Sequence, residues 1–165
     1  MPDGVEVRRL AERDLSSVNS RLPIWNGREY GRRLSYQELG LAVQLVAWAG
    51  GRAVGRAMLV CPGHPEWSLS AHRETCPEIR DIEVSAAWRR RGVGRALIQA
   101  TETDASDAGF DRIGLMVGDD DAYDAARSLY GRLGYAFAHG PFVSSARLER
   151  DDGSSFAVAG CVATS

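Results

Sequence analysis

The sequence predicts a single α/β domain in which strands and helices are interleaved along the whole chain. Three observations carry this reading. Short apolar segments bounded by glycine or proline recur at strand length, and several segments between them place apolar residues at helical spacing. Glycines stand just past the ends of those helical segments, where a left-handed residue closes a helix. The 165 residues, 44% apolar and 25% charged, suffice for one core and are too few for two catalytic lobes, so residues 1–165 are read as one domain.

The elements follow in order. Val5 and Val7 flank Glu6 as in a short strand, and the stretch Leu10 to Leu15 then carries helical spacing. Residues 28–39 form a polar second helix anchored by Tyr30, Leu34 and Leu39, weakened by Gly31 in its interior. Leu41 to Ala49 and Ala53 to Val60 are two strands joined at Gly50-Gly51 in an antiparallel hairpin. Cys61 to Pro77 contains three prolines, Gly63 and no periodicity, and reads as a long loop. Glu78 to Val84 is the next strand, in which regular alternation puts Glu78, Arg80, Ile82 and Val84 on one face and Ile79, Asp81 and Glu83 on the other. Gly92 to Ala108 is a helix whose Val93, Ala96, Leu97 and Ala100 form a buried stripe. Arg112 to Val117 is a strand, residues 122–133 a helix closed by Gly134, and two last strands meet around Asp151-Asp152-Gly153.

The segment richest in chemistry is Arg89-Arg90-Arg91-Gly92-Val93-Gly94-Arg95, set between a strand and a helix. Glycines there let the backbone approach a ligand, and the first turn of a helix offers unpaired N–H groups at the positive end of its dipole. With guanidinium groups alongside, the natural guest is a phosphate or pyrophosphate. The segment lacks the Gly-Lys-Ser/Thr of a Walker loop and the full Gly-x-Gly-x-x-Gly of a dinucleotide fold. The plainer alternative is an Arg-rich solvated turn capping a helix.

On these residues the chain resembles the GCN5-related N-acetyltransferase (GNAT) family. Arg89, Gly92 and Gly94 match its Gln/Arg-x-x-Gly-x-Gly/Ala signature, Ile82-Glu83-Val84 is similar to its central strand, and Leu129-Tyr130 through Leu133-Gly134-Tyr135 is similar to its closing motif. The likeness is specific over residues 78–135. It implies a GNAT-like fold: a mixed, mostly antiparallel central sheet of six or seven strands flanked by about four helices. The implied activity is transfer of an acetyl group from acetyl-CoA, as co-substrate, to a primary amine of a small molecule or peptide within a ternary complex. One departure stands out, because Tyr123 occupies the place of the family's usual Asn, with Asp121 two residues earlier.

The resemblance also implies roles. Arg89, Arg90, Arg91, Gly92, Val93, Gly94 and Arg95 would hold the pyrophosphate, and Val84 would pair with the pantetheine arm. The Ile82 N–H would polarise the thioester carbonyl. Tyr130 stands at the general-acid position, where a phenol of pKa about 10 returns a proton to the thiolate; packing among Leu129, Leu133 and Tyr135 is its other reading. Glu78, eleven residues before Arg89, is the first choice of base, acting directly or through water, and Glu83 the second. An exposed strand opening is the plainer reading of Glu78. Trp25, Tyr30, Tyr36 and Trp67 either wall an acceptor pocket or pack the core.

Composition narrows the alternatives. The 20 basic residues are all arginine and stand against 22 acidic ones, for a net charge of −2, so a general nucleic-acid binder is not expected. Glu66, Glu74, Glu78 and Asp81 would suit a cationic acceptor. The first 20 residues hold no continuous apolar run, and the longest in the chain, Leu41 to Ala49, is nine residues interrupted by Gln44, so neither a signal peptide nor a membrane span is expected; with three cysteines, too few for a disulfide scaffold, a cytoplasmic protein is expected. Cys61, His64, His72 and Cys76 have a tolerable but unfamiliar spacing for zinc. No metal is expected, and the loop is read as an acceptor-side element. A homodimer is compatible with the resemblance, and the rival function is a non-catalytic acyl-CoA-binding or regulatory module.

Overall fold

The computed structural model describes residues 2–66, 77–110, 113–117, 122, 124–149 and 155–164; for 116–117, 136–149 and 155–164 it describes the backbone. The elements are β1 (Val5–Arg9), α1 (Leu15–Arg21), α2 (Glu29–Glu38), β2 (Ala42–Ala49), β3 (Arg52–Val60), β4 (Glu78–Val84), α3 (Val93–Asp107), β5 (Gly114–Val117), α4 (Asp124–Arg132), β6 (Ala136–Glu149) and β7 (Ser155–Thr164). Single 3₁₀ turns cover Glu12–Asp14 and Ala86–Trp88. Across the sheet the strands run β1-β2-β3-β4-β5-β7-β6. The β4–β5 pair is parallel and every other pair antiparallel, which is the mixed α/β sheet the sequence implied. No described helix is long and apolar enough to cross a membrane.

Alternation along β2 separates two cores. Leu45, Ala47 and Ala49, with Val54, Ala57, Leu59 and Ile79, pack against Val93, Leu97 and Ile98 of α3 and Tyr130 of α4. Val46 and Trp48 face the other way, onto Leu10, Val18, Leu22 and Tyr30 from the segment carrying α1 and α2. The β1–β4 part of the sheet is thus covered on both faces. The Gly50-Gly51 turn forms as expected, with φ of 55° and 75°, values that a two-residue hairpin of the matching twist requires.

One helix differs from its expected bounds. Within Leu10 to Leu15, Glu12–Asp14 form a single 3₁₀ turn in which the Asp14 carboxylate accepts the Ala11 N–H at 2.9 Å, and α1 begins only at Leu15, continuing to Arg21 with Val18 buried. The polar run Ser16-Ser17 concealed that continuation from a reading based on apolar spacing.

Candidate active site

The Arg89–Arg95 segment folds as a turn that delivers α3. Gly92 is the residue before the helix, in the left-handed region at φ 83°, and its carbonyl accepts the Ala96 N–H at 3.0 Å. The first-turn N–H groups therefore point out of the helix end with no intrahelical acceptor. Arg90 is also left-handed, at φ 60°. Two contacts fix the turn: Arg89 Nε donates to the Val84 carbonyl at 3.0 Å, and the Arg91 guanidinium lies over the Trp88 ring at 5.0 Å. Pro2, Arg91, Gly92, Arg95, Ala96 and Gln99 line an open groove of about 380 Å³ beside it.

Gly94 marks where distant segments meet. A Cβ there would lie 3.6 Å from Leu129 Cδ2 of α4 and 3.9 Å from Val84 Cγ2 of β4. The signature turn, the end of the central strand and the closing motif thus share one corner. A second glycine escaped the sequence reading. A Cβ on Gly55 of β3 would lie 3.1 Å from Leu97 Cδ1, 3.2 Å from Val93 Cγ1 and 3.2 Å from the Glu83 carbonyl, so its absence lets the first turns of α3 settle onto the β3–β4 pair. Nothing in the sequence around Gly55 distinguishes it from a turn glycine.

The central strand opens at its middle. Strands β4 and β5 pair at Glu78 with Gly114 and at Ile79 with Leu115, and at no later position among the described residues. On the other side the β3–β4 register shifts: Met58 opposes Arg80 and Arg56 opposes Glu83, so Asp81 and Ile82 together stand against the single residue Ala57. Asp81 has φ 53°. This bulge corrects the expected faces, because one extra residue reverses the alternation. Ile82 and Val84 join Ile79 on the α3 core, while Asp81 and Glu83 turn with Arg80 toward α2 and Arg56.

The carboxylates of β4 are all ion-paired. Glu78 is fully buried, and its Oε2 takes Arg80 Nη2 at 3.0 Å and Nε at 3.2 Å. Asp81 Oδ2 accepts Arg33 Nη1 at 2.7 Å and Arg56 Nε at 2.8 Å, and Oδ1 accepts Arg56 Nη2 at 3.2 Å. Burial alone would raise the Asp81 pKa; the two guanidiniums outweigh it and hold it below the usual carboxylate range. Arg56 Nη2 also donates to Glu83 at 2.7 Å, and the Glu83 side chain is 51% exposed. Arg33 reaches Gln44 at 2.8 Å and Glu29 at 3.2 Å. Burial pushes Glu29 up. Arg33, Arg56 and Gln44 were not singled out in the sequence; charged or polar residues at core-facing strand and helix positions were the available signal.

The remaining candidates separate. Tyr130 is 8% exposed and meets Tyr135 edge-on, ring centres 6.4 Å apart. The Tyr135 hydroxyl donates to Glu102 at 2.8 Å. Tyr30 is core, its hydroxyl donating to the Leu22 carbonyl at 2.6 Å; Trp25 packs on Met58 and Val60. Tyr36 meets His64 at a tilt, ring centres 4.3 Å apart, and burial lowers the His64 pKa. Arg32 of α2 pairs with Glu66. Trp67, His72, Glu74, Cys76, Asp121 and Tyr123 lie outside the described residues.

A glycine-capped helix placed beside an opened strand in a sheet of this order defines a class, the acetyltransferases of GNAT architecture. The profile of the Acetyltransferase (GNAT) family matches residues 5–135, and the chain belongs to that family. Solved structures agree in fold. A ribosomal-protein-alanine N-acetyltransferase from Brucella melitensis superposes with TM-score 0.67 at 19% identity, over 97% of this chain and 98% of that one. An acetyltransferase from Trypanosoma brucei gives 0.61 at 25% identity, over 84% and 96%. The Salmonella typhimurium protein yncA, solved with acetyl-CoA, gives 0.64 at 18% identity, over 98% and 92%. A comparison with curated protein sequences gives no match.

Proposed function

We propose that the chain moves the acetyl group of acetyl-CoA directly to a primary amine of a small molecule or peptide. The observation that carries this reading is the corner at Gly94, where the open edge of β4, the capped start of α3 and the Leu129-Tyr130 turn of α4 converge. The residues present fit acetyl-CoA: first-turn amides with Arg89, Arg90, Arg91 and Arg95 suit a pyrophosphate, and Val84 lies on an edge to which an extended amide arm can add. Acetyl-CoA supplies an activated thioester.

The chain's residues then have separable tasks. The Ile82 N–H, outside both strand registers, donates to the thioester oxygen. A primary ammonium must lose a proton before it attacks, and Glu83, half exposed, is the carboxylate an acceptor reaches directly. Glu78 lies fully buried behind Arg80 and would take that proton through water. Tyr130 returns a proton to the leaving thiolate.

The test is free CoA release across a panel of primary amines, followed by Tyr130→Phe on the best acceptor. The phenol-free variant keeps the ring and its packing on Tyr135, so we expect kcat to fall about ten- to ten-thousandfold with acetyl-CoA affinity unchanged. Full activity in Tyr130→Phe would make the phenol structural. Tight acetyl-CoA binding without release on any amine would instead leave the non-catalytic module, a reading favoured by the burial of Tyr130 and Glu78.

A further inference from the structure

Asp81 combines three features that do not occur together by default. It is one of two described non-glycine residues with positive φ, at 53°, a backbone state that a side chain with a Cβ disfavours. It sits where the β3–β4 ladder skips, directly before Ile82. Its carboxylate is gripped by two buried arginines from different elements, Arg33 of α2 and Arg56 of β3, both oxygens being engaged. The arginines are themselves anchored. Arg33 also holds Gln44 of β2, and Arg56 donates to the Leu22 carbonyl at 3.2 Å and the Tyr30 hydroxyl at 3.4 Å. A strained backbone persists only where its surroundings over-determine it, and this grip is such a surrounding.

We propose that Asp81 is a positioning residue for acetyl transfer: its carboxylate, clamped by Arg33 and Arg56, holds β4 in the bulged conformation that presents the Ile82 N–H to the thioester carbonyl. Without the clamp, a residue with a Cβ returns toward regular strand, the register closes by one residue, and the Ile82 donor rotates out of place. The proposal rests on the acetyl-CoA reading above. It assigns a role to an acid expected from the sequence to face a cationic acceptor but whose two oxygens are both taken by arginines, and it gives the α2 face a purpose in the chemical step.

Isotope-edited infrared spectroscopy of bound [1-¹³C]acetyl-CoA tests it without an acceptor, because a donor on the thioester oxygen moves the carbonyl band to lower frequency. Calorimetry on the same samples gives acetyl-CoA affinity. Wild type should show the displaced band. Asp81→Ala, which loses the clamp but keeps a Cβ, should bind acetyl-CoA within about threefold of wild type and lose the displacement. Asp81→Gly, which tolerates φ 53° without a clamp, should recover most of it. A wild-type band in Asp81→Ala overturns the proposal, as does an equal loss in the Ala and Gly variants, which would make the carboxylate's charge the cause rather than its grip. Should Asp81→Ala fail to fold, Arg33→Met decides: it should weaken the displacement, and an unchanged band overturns the proposal. Wild type that binds no acetyl-CoA, or binds it with an unmoved band, removes the underlying reading and the proposal with it.

Discussion

Asp14 shows how much one side chain decides at the residue scale. Its carboxylate accepts two bonds from Arg8, at 2.7 and 2.9 Å, and a third from the Ala11 N–H, so a single buried acid ties β1 to the turn that starts α1. The Arg8 hydrogen bonds, working against burial, hold its pKa below the ordinary carboxylate range. The sign follows: a carboxylate whose folded pKa is depressed stabilises above its unfolded pKa, about 3.9, and that contribution disappears as pH falls through the folded value. Asp14→Asn should therefore cost about 1 to 2 kcal/mol at pH 7, the range for a charge-assisted bond beside a partly exposed arginine. Urea melts should show that difference shrinking once the pH drops below about 4.

At the scale of elements, the decisive contact is between α3 and the strands beneath it. The helix begins where Gly92 and Arg90 adopt left-handed backbone, and it lies close to the sheet because Gly55 presents no Cβ to Leu97 and Val93. Gly94→Trp would drive an indole into the corner occupied by Leu129 and Val84, closing the approach to the first-turn amides. Calorimetric affinity for acetyl-CoA should fall at least about a hundredfold in the folded variant, consistent with losing several backbone and charge-assisted bonds to an anion. An undiminished affinity would separate the cradle from CoA binding.

For the molecule as a whole, the sheet is paired from β1 through β4 and opens between β4 and β5, where the described residues form two pairs. A ligand that spans that opening and binds only the folded chain must stabilise it by mass action. At a hundredfold excess over Kd, the gain is about 2.7 kcal/mol, which for a domain of this size raises Tm by roughly 5 to 10 °C. Thermal scans with acetyl-CoA should show that rise, and amines alone should not.

Much of the architecture was legible because it depends on local rules. Apolar period, the Gly50-Gly51 turn and the glycines closing α3 and α4 each state a backbone requirement within a few residues, and the order of elements follows from them. The glycine turn that opens α3 was legible too, since Arg89, Gly92 and Gly94 lie within six residues and shape one stretch of backbone. Only the tertiary structure decided which faces β4 presents. The bulge at Asp81 is held by Arg33 and Arg56, which stand 48 and 25 residues away in sequence, and no periodicity records a partner at that distance. The same cause gives Glu78 and Glu83 different surroundings: both are acids on one strand, and it is burial against Arg80 in one case and solvent beside Arg56 in the other that sets them apart.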